Sequence, residues 1–277
     1  MSDYVMTVNQ FLDMAELAAS LPSCYVTGCF GAPLALPGVI ERWEDEYPQN
    51  KKHDDLIRKR AAEGAYGWDC VNYVKALLWQ WHADPTQEYG GAVYKYAGIP
   101  DATVYDMFNR YCYDRSDDFT NIRPGAFLYY GNGSHCGIYI GGGYALEATG
   151  SWERKIHYSA VGNLVERYPE IMTYDHKRQW LAWGLLPWID YKEDNQMTVK
   201  NTIICPCCGR SLEAEITLTL SPDELLAVYT VEQNDTPWGI ARKVYGDGSK
   251  YYIIMDYNGL PRDAYIHTGQ ILKIPRI

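Results

Sequence analysis

An α+β chain of two unequal domains joined by a hairpin is what the sequence predicts, and three stretches carry the prediction. Behind Gly67-Trp68-Asp69-Cys70, the apolar residues Val71, Val74, Leu78 and Trp81 recur at i, i+3, i+7 and i+10, the stripe of a helix with one buried face. In Ser134-His135-Cys136-Gly137-Ile138-Tyr139-Ile140-Gly141-Gly142-Gly143-Tyr144-Ala145-Leu146-Glu147, two short strands flank a glycine turn, the pattern of an antiparallel hairpin. Residues 228–277 read strand, helix, helix, strand. There Tyr229-Thr230-Val231 opens extended, and Asp235 or Thr236 caps a helix with Pro237 in its first turn. A second helix runs from about residue 249 to the stop signal Asn258-Gly259, and residues 270–275 close as a strand.

These stretches divide the chain into 1–190, 191–227 and 228–277. The middle part opens on the polar Lys192-Glu193-Asp194-Asn195-Gln196 and holds two alternating runs, 198–204 and 212–220, about the turn Cys205-Pro206-Cys207-Cys208-Gly209-Arg210, so it reads as a hairpin linker. Residues 228–277 carry six basic and five acidic side chains and 191–227 carry three and six, so most of the formal charge of −10 belongs to the first part.

Composition narrows the possible functions. The 277 residues are 47% hydrophobic and 22% charged, which suits folded domains with at least one substantial core rather than a disordered chain. Neutralising phosphates needs clustered Lys and Arg, which the acidic chain lacks, so nucleic acid is not an expected partner. No run approaches the ~18 apolar residues of a membrane span, and the first 20 residues contain no Lys or Arg where a signal peptide needs positive charge. Cytoplasmic synthesis without membrane insertion is the expectation. The eight scattered cysteines are then expected to be free thiols.

Cys70 falls at the predicted helix start, where unpaired N–H groups and the helix dipole favour a thiolate and its own amide can face a developing oxyanion. A cysteine there can equally be a small buried hydrophobe. His135 and Glu147 change the balance. With the three glycines as the loop, Ile140 faces Tyr144 and Gly137 faces Glu147, which puts His135 diagonally from Glu147 on one face with no side chain on Gly137 between them. A two-residue turn would send Glu147 to the opposite face.

Asp69-Cys70 with its helix, Arg123-Pro124-Gly125-Ala126-Phe127-Leu128, and His135-Cys136-Gly137-Ile138-Tyr139-Ile140-Gly141 resemble the NlpC/P60 cysteine peptidases over roughly residues 1–190. Those motifs are DCSGFV-like, PGDLVFF-like and HVGIYIG-like, with a third polar residue twelve positions after the histidine, here Glu147. The resemblance implies a papain-like fold, a nucleophile helix on an antiparallel sheet. It also implies a cysteine endopeptidase that cuts a stem-peptide amide of bacterial peptidoglycan next to a D-γ-glutamyl residue. Cys70 would be nucleophile, His135 base and acid, and Glu147 its orienter, with no cofactor or metal. Tyr25-Val26-Thr27-Gly28-Cys29 is the best match to the family's YxWGG-like segment and suggests Tyr25 at the oxyanion or substrate, displaced by an insertion over about 33–63. The sequence departs from the family at Val71-Asn72-Tyr73, at Ala126 and in having Glu147 where His, Asn or Gln is commoner.

The final 50 residues resemble the LysM module, with its YTVxxGDTLWxIA opening and NGLxxxxIxxGQxLxIP close. The resemblance implies binding of N-acetylglucosamine-containing glycan by Asn234, Asp235, Thr236 and Pro237 on one side and Asn258, Gly259, Leu260 and Ile266 on the other. Pro237 stands in place of the usual Leu, and Thr236 and Ile266 also fit capping and core roles.

The whole reads as an endolysin-like peptidoglycan hydrolase of phage or prophage, reaching the wall after release. The rivals are an N-acetylmuramoyl-L-alanine amidase, an acyltransferase and a non-catalytic wall-binding protein. Cys205 and Cys208 resemble one zinc knuckle, but four ligands are needed and no second CxxC exists, so no metal is expected. Cys136, pointing away from His135, is expected in the core, and Cys29 is left open. His53, His82, His157, His176 and His267 lack partners at metal-ligand spacing and are expected to be solvated or hydrogen-bonded.

Overall fold

The computed structural model describes residues 4–169, 171, 175–191, 196–204, 211–219, 226–232, 235–258, 260, 262, 266–267 and 270–275. The chain is mixed α+β, as predicted, and its contacts divide it into two compact units, Met1–Tyr191 and Lys192–Ile277.

In the first unit, β1 (Met6–Thr7) leads into α1 (Val8–Ser20) through a capping box in which Thr7 and Gln10 exchange side-chain and backbone hydrogen bonds. The strands β2 (Ser23–Tyr25), β3 (Phe30–Pro33) and β4 (Tyr66–Trp68) form a small sheet with β4 in the middle. Between β3 and β4 lie α2 (Val39–Glu46) and α3 (Asp54–Ala62), the helical content of the expected insertion. Next comes α4 (Cys70–Leu78), then the short turn α5 (Val104–Asp106) and β5 (Tyr113–Ser116).

The main sheet is completed by β6 (Phe127–Tyr130), β7 (His135–Gly141), β8 (Tyr144–Ala148), β9 (Ile156–Val161), β10 (Lys177–Arg178) and β11 (Ala182–Leu185). Its order is β10-β9-β8-β7-β6-β11-β5, antiparallel except for the β10–β9 pair. A last short strand, β12 (Ile189–Asp190), returns to pair with β1. Helix α4 packs on β7 and β8, and Tyr73 fastens it to α1 by donating its hydroxyl to the Ala15 carbonyl at 2.7 Å.

Two details differ from the sequence reading. The helix stops at Leu78 because Gln80 turns into the left-handed region at φ 67°, and Trp81 lies beyond it, buried, with its indole N–H on the Gly31 carbonyl. The one-sided stripe understates the burial. Every residue from Asn72 to Leu78 is buried, including Lys75, which pairs with Asp101, whereas Val71 of the stripe is half-exposed. The hairpin turn also differs. Gly141, not Ile140, pairs with Tyr144, so the turn is Gly142-Gly143, both at positive φ, and a bulge at Ile140 absorbs the extra residue. Ile138 opposite Leu146 then continues to Gly137 opposite Glu147, and Glu147 keeps the face that an unbulged two-residue turn would have lost.

In the second unit, β13 (Gln196–Ile204) and β14 (Ser211–Thr219) form a hairpin with Ile204 opposite Ser211. The turn holding Cys205, Cys207 and Cys208 lies outside the described residues. Strands β15 (Leu226–Thr230) and β16 (Ile271–Pro275) pair antiparallel. With them fold α6 (Pro237–Tyr245) and α7 (Tyr251–Tyr257), over a core of Val231, Ile240, Ala241, Ile254, Leu272 and Ile274. Thr236 is the N-cap of α6 and Pro237 its first residue, as the sequence predicts. No helix among the described residues is long and apolar enough to cross a membrane.

Candidate active site

Cys70 is the first residue of α4, and Asp69 is its N-cap. One Asp69 oxygen accepts from the Asn72 amide at 2.7 Å, and the other accepts from the Gly28 amide at 2.9 Å and the Asn72 side chain at 2.8 Å. The Asn72 side chain also donates to the Gly28 carbonyl at 2.7 Å. Asn72 thus ties the Tyr25–Cys29 turn to the helix start. Gly28 sits at φ 85°, and a Cβ there would meet the Tyr47 ring at 2.0 Å, so the turn requires glycine. Burial, then the neighbouring Cys70 sulfur, pushes the Asp69 carboxyl up to about 7.

His135 and Glu147 are brought together as expected: Nε2 of His135 lies 2.6 Å from Oε2 of Glu147. Glu147 is fully buried and held from three sides. Ser159 on β9 donates its hydroxyl at 2.5 Å, and Arg178 on β10 donates Nε at 2.9 Å, with a second guanidinium nitrogen at 2.8 Å. Burial pushes this carboxyl up, but His135 and Arg178 outweigh it and hold it below the usual range. The space over Gly137 is not open, because Trp180 fills it and stacks on His135 at 5.8 Å between ring centroids; a Cβ on Gly137 would meet that indole at 2.9 Å.

With Nε2 on Glu147, Nδ1 is the imidazole nitrogen left to face Cys70. Burial pushes the His135 imidazole down, yet the Cys70 sulfur and Glu147 outweigh it and leave it raised. The Cys70 thiol is held well below its ordinary value: the neighbouring Cys136 thiol contributes most, opposed by burial, and His135 and the Val71 amide add to it. Burial first, then the neighbouring Cys70 sulfur, drive the Tyr25 phenol far up, so it stays a neutral donor. The arrangement favours a thiolate–imidazolium pair at the start of a helix.

The other described cysteines go the opposite way. Burial raises Cys24 to about 11 and drives Cys29, Cys112 and Cys136 up as well, so Cys70 is the one described thiol set up to be a nucleophile. Cys136 is in the core, as its strand position implied, but its thiol and that of Cys70 shift each other in opposite directions, which the alternation rule did not anticipate. Replacing it by valine removes that influence and raises the Cys70 pKa. The thiolate exists only above that pKa, so the acid limb of Cys70 alkylation by iodoacetamide is expected to move to higher pH in Cys136→Val. An unmoved limb would show that Cys136 only packs.

Beside Asp69 and Val71 opens a cleft of about 810 Å³. Its walls include Arg42, Trp43 and Tyr47 from the insertion, and Lys75, Tyr94 and Asp101. Lys75 is on α4 itself, whereas the other wall residues, with Ser159, Arg178 and Trp180, arrive from distant segments without a motif that would announce them.

In the second unit, Asn234 and Gly259 lie outside the described residues. Asp235 is half-buried, and both its side-chain oxygens are engaged: Tyr229 and the Glu232 amide donate to one and Lys243 to the other, each at 2.8 Å. Thr236 caps α6 and the Asn258 side chain donates to the Ile254 carbonyl, while Leu260 and Ile266 pack on the core. These side chains shape the two loops, and Pro237, half-exposed at the start of α6, is on the loop surface itself.

Residues 229–275 match the LysM domain, the class that the second unit's fold and end motifs define. LysM domains bind peptidoglycan and chitin-like glycan, and the match indicates peptidoglycan binding by this part of the chain. No curated protein and no solved structure matches the chain.

Proposed function

We propose that the chain is a peptidoglycan hydrolase whose first unit cleaves a stem-peptide amide through Cys70, His135 and Glu147 while its LysM domain holds the wall. The observation that carries this reading is the buried Cys70–His135–Glu147 array, with Glu147 2.6 Å from His135 and the Cys70 thiol shifted down while the other described cysteines shift up. Resemblance to NlpC/P60 peptidases supplies the substrate class, and the LysM match supports it.

The Cys70 thiolate attacks the amide carbonyl carbon, and charge develops on the carbonyl oxygen. The Cys70 amide, which no intrahelical carbonyl can reach, and the Tyr25 hydroxyl are the donors for that oxygen. As the C–N bond breaks, imidazolium His135 gives its Nδ1 proton to the departing amine, leaving a thioester on Cys70. Water then attacks the thioester with His135 taking its proton, and the carboxylic acid and the thiolate are released. Glu147 fixes the imidazole and stabilises its charged form throughout. The cleft beside α4, with Lys75 and Asp101 in one wall, is where the stem peptide lies.

Mass spectrometry of purified peptidoglycan after digestion tests the reading. New amino and carboxyl ends within the stem peptide are expected; release at N-acetylmuramoyl–L-alanine would reassign the bond, and intact stems would refute hydrolysis. A second check separates the units. Truncation after Leu226 is expected to weaken pelleting with cell walls while sparing hydrolysis of a small soluble stem peptide, because tethering raises only the local concentration of the catalytic unit. Equal pelleting would remove the anchoring role.

A further inference from the structure

Behind the triad, three side chains that the sequence spacing kept apart come together. Glu153 lies in the loop between β8 and β9, His157 on β9 opposite Glu147, and His176 just before β10. Their potential ligand atoms all lie within 4.8 Å of one another. His157 is only 7% exposed, and its buried Nε2 has no hydrogen-bond partner. Oε2 of Glu153 is 2.9 Å from that nitrogen, close in distance but off the line of an N–H···O bond, as two donors aimed at a common point would be. The two imidazoles meet nearly at right angles, 82° at 5.0 Å, and Trp152 fixes them both, stacked on His176 at 4.5 Å and edge-on to His157 at 5.5 Å.

We propose that Glu153, His157 and His176 form a site for a divalent transition metal, with zinc the best-matched ion and water in a fourth position. Two imidazoles and one carboxylate are a zinc donor set, whereas calcium and magnesium take oxygen. Tetrahedral bonds of about 2.0–2.2 Å place ligand atoms roughly 3.3–3.5 Å apart, a spacing that the exposed Glu153 and half-exposed His176 reach by small rotations. Lys155, 3.6 Å from Glu153, is the cation the metal would displace from that carboxylate. The ion would tie the β8–β9 loop to the edge strand β10, whose Arg178 holds Glu147 and lies over Trp152 at 5.0 Å.

The test uses the untagged full chain, freed of metal by chelator and carrying Cys70→Ala, Cys205→Ser, Cys207→Ser and Cys208→Ser so that no accessible thiolate competes. Calorimetric titration with zinc chloride is expected to show one ion per chain. Both His176→Ala and Glu153→Gln, which leave the buried His157 in place, are expected to weaken it by at least about tenfold. Cobalt in the same site is expected to give a visible spectrum of nitrogen and oxygen ligation without thiolate charge transfer. No binding by the parent, or equal binding by a folded His176→Ala, would overturn the proposal.

Discussion

Cys70→Ala is expected to lose wall hydrolysis by roughly 10³-fold or more, since no other described thiol is lowered to take over as the nucleophile. The loss should appear in turnover, with pelleting on cell walls unchanged because the LysM domain is untouched. The methyl group replaces a small buried side chain at the first position of α4, and Asp69 still caps the helix, so the fold is expected to survive. Circular dichroism and a wall-turbidity assay check both halves. Retained lysis in a folded Cys70→Ala would remove cysteine catalysis altogether.

Glu147→Gln is expected to cost about 10²–10⁴-fold in turnover with a much smaller change in substrate affinity. The amide keeps the size of the side chain but not its charge, so the imidazolium loses its stabilising partner and the His135 pKa falls. The sign follows: His135 must be protonated to release the amine, so the alkaline limb of the pH–rate profile moves to lower pH. Arg178, half-buried, is then left without its carboxylate, so thermal stability should fall as well. Stability alone would fall if Glu147 were only structural. The displaced alkaline limb is the readout that separates the two roles, and an unmoved limb with full turnover would demote the residue.

What could be read from the sequence follows from how local each feature is. Cys70 at a helix start and the twelve-residue step from His135 to Glu147 are short-range patterns, and both elements form where their residues predict. The second unit was legible for the same reason, its caps, core and closing strand all lying within 50 residues. Ser159, Arg178 and Trp180 reach the site through the order of strands in the sheet, and no spacing rule announces them. The glycine turn shows a subtler limit. Glu147 was placed on the correct face by assuming a three-residue loop, whereas the chain uses a two-residue turn and recovers the face with a bulge at Ile140. His157 and His176 are 19 positions apart, outside any metal-ligand spacing, and the fold closes that distance by pairing β10 with β9.

The glycine hairpin also bears on the order in which the site is assembled. His135 and Glu147 are joined by a tight local turn, and such hairpins form in about 1–10 μs. Cys70 reaches them across 65 residues of chain, and contacts of that range are made late because loop closure must come first. A nascent or partly folded chain therefore contains a finished base and an idle thiol. Activation of the sulfur is the event that coincides with completion of the first unit, and its alkylation rate during refolding is a clock for that event.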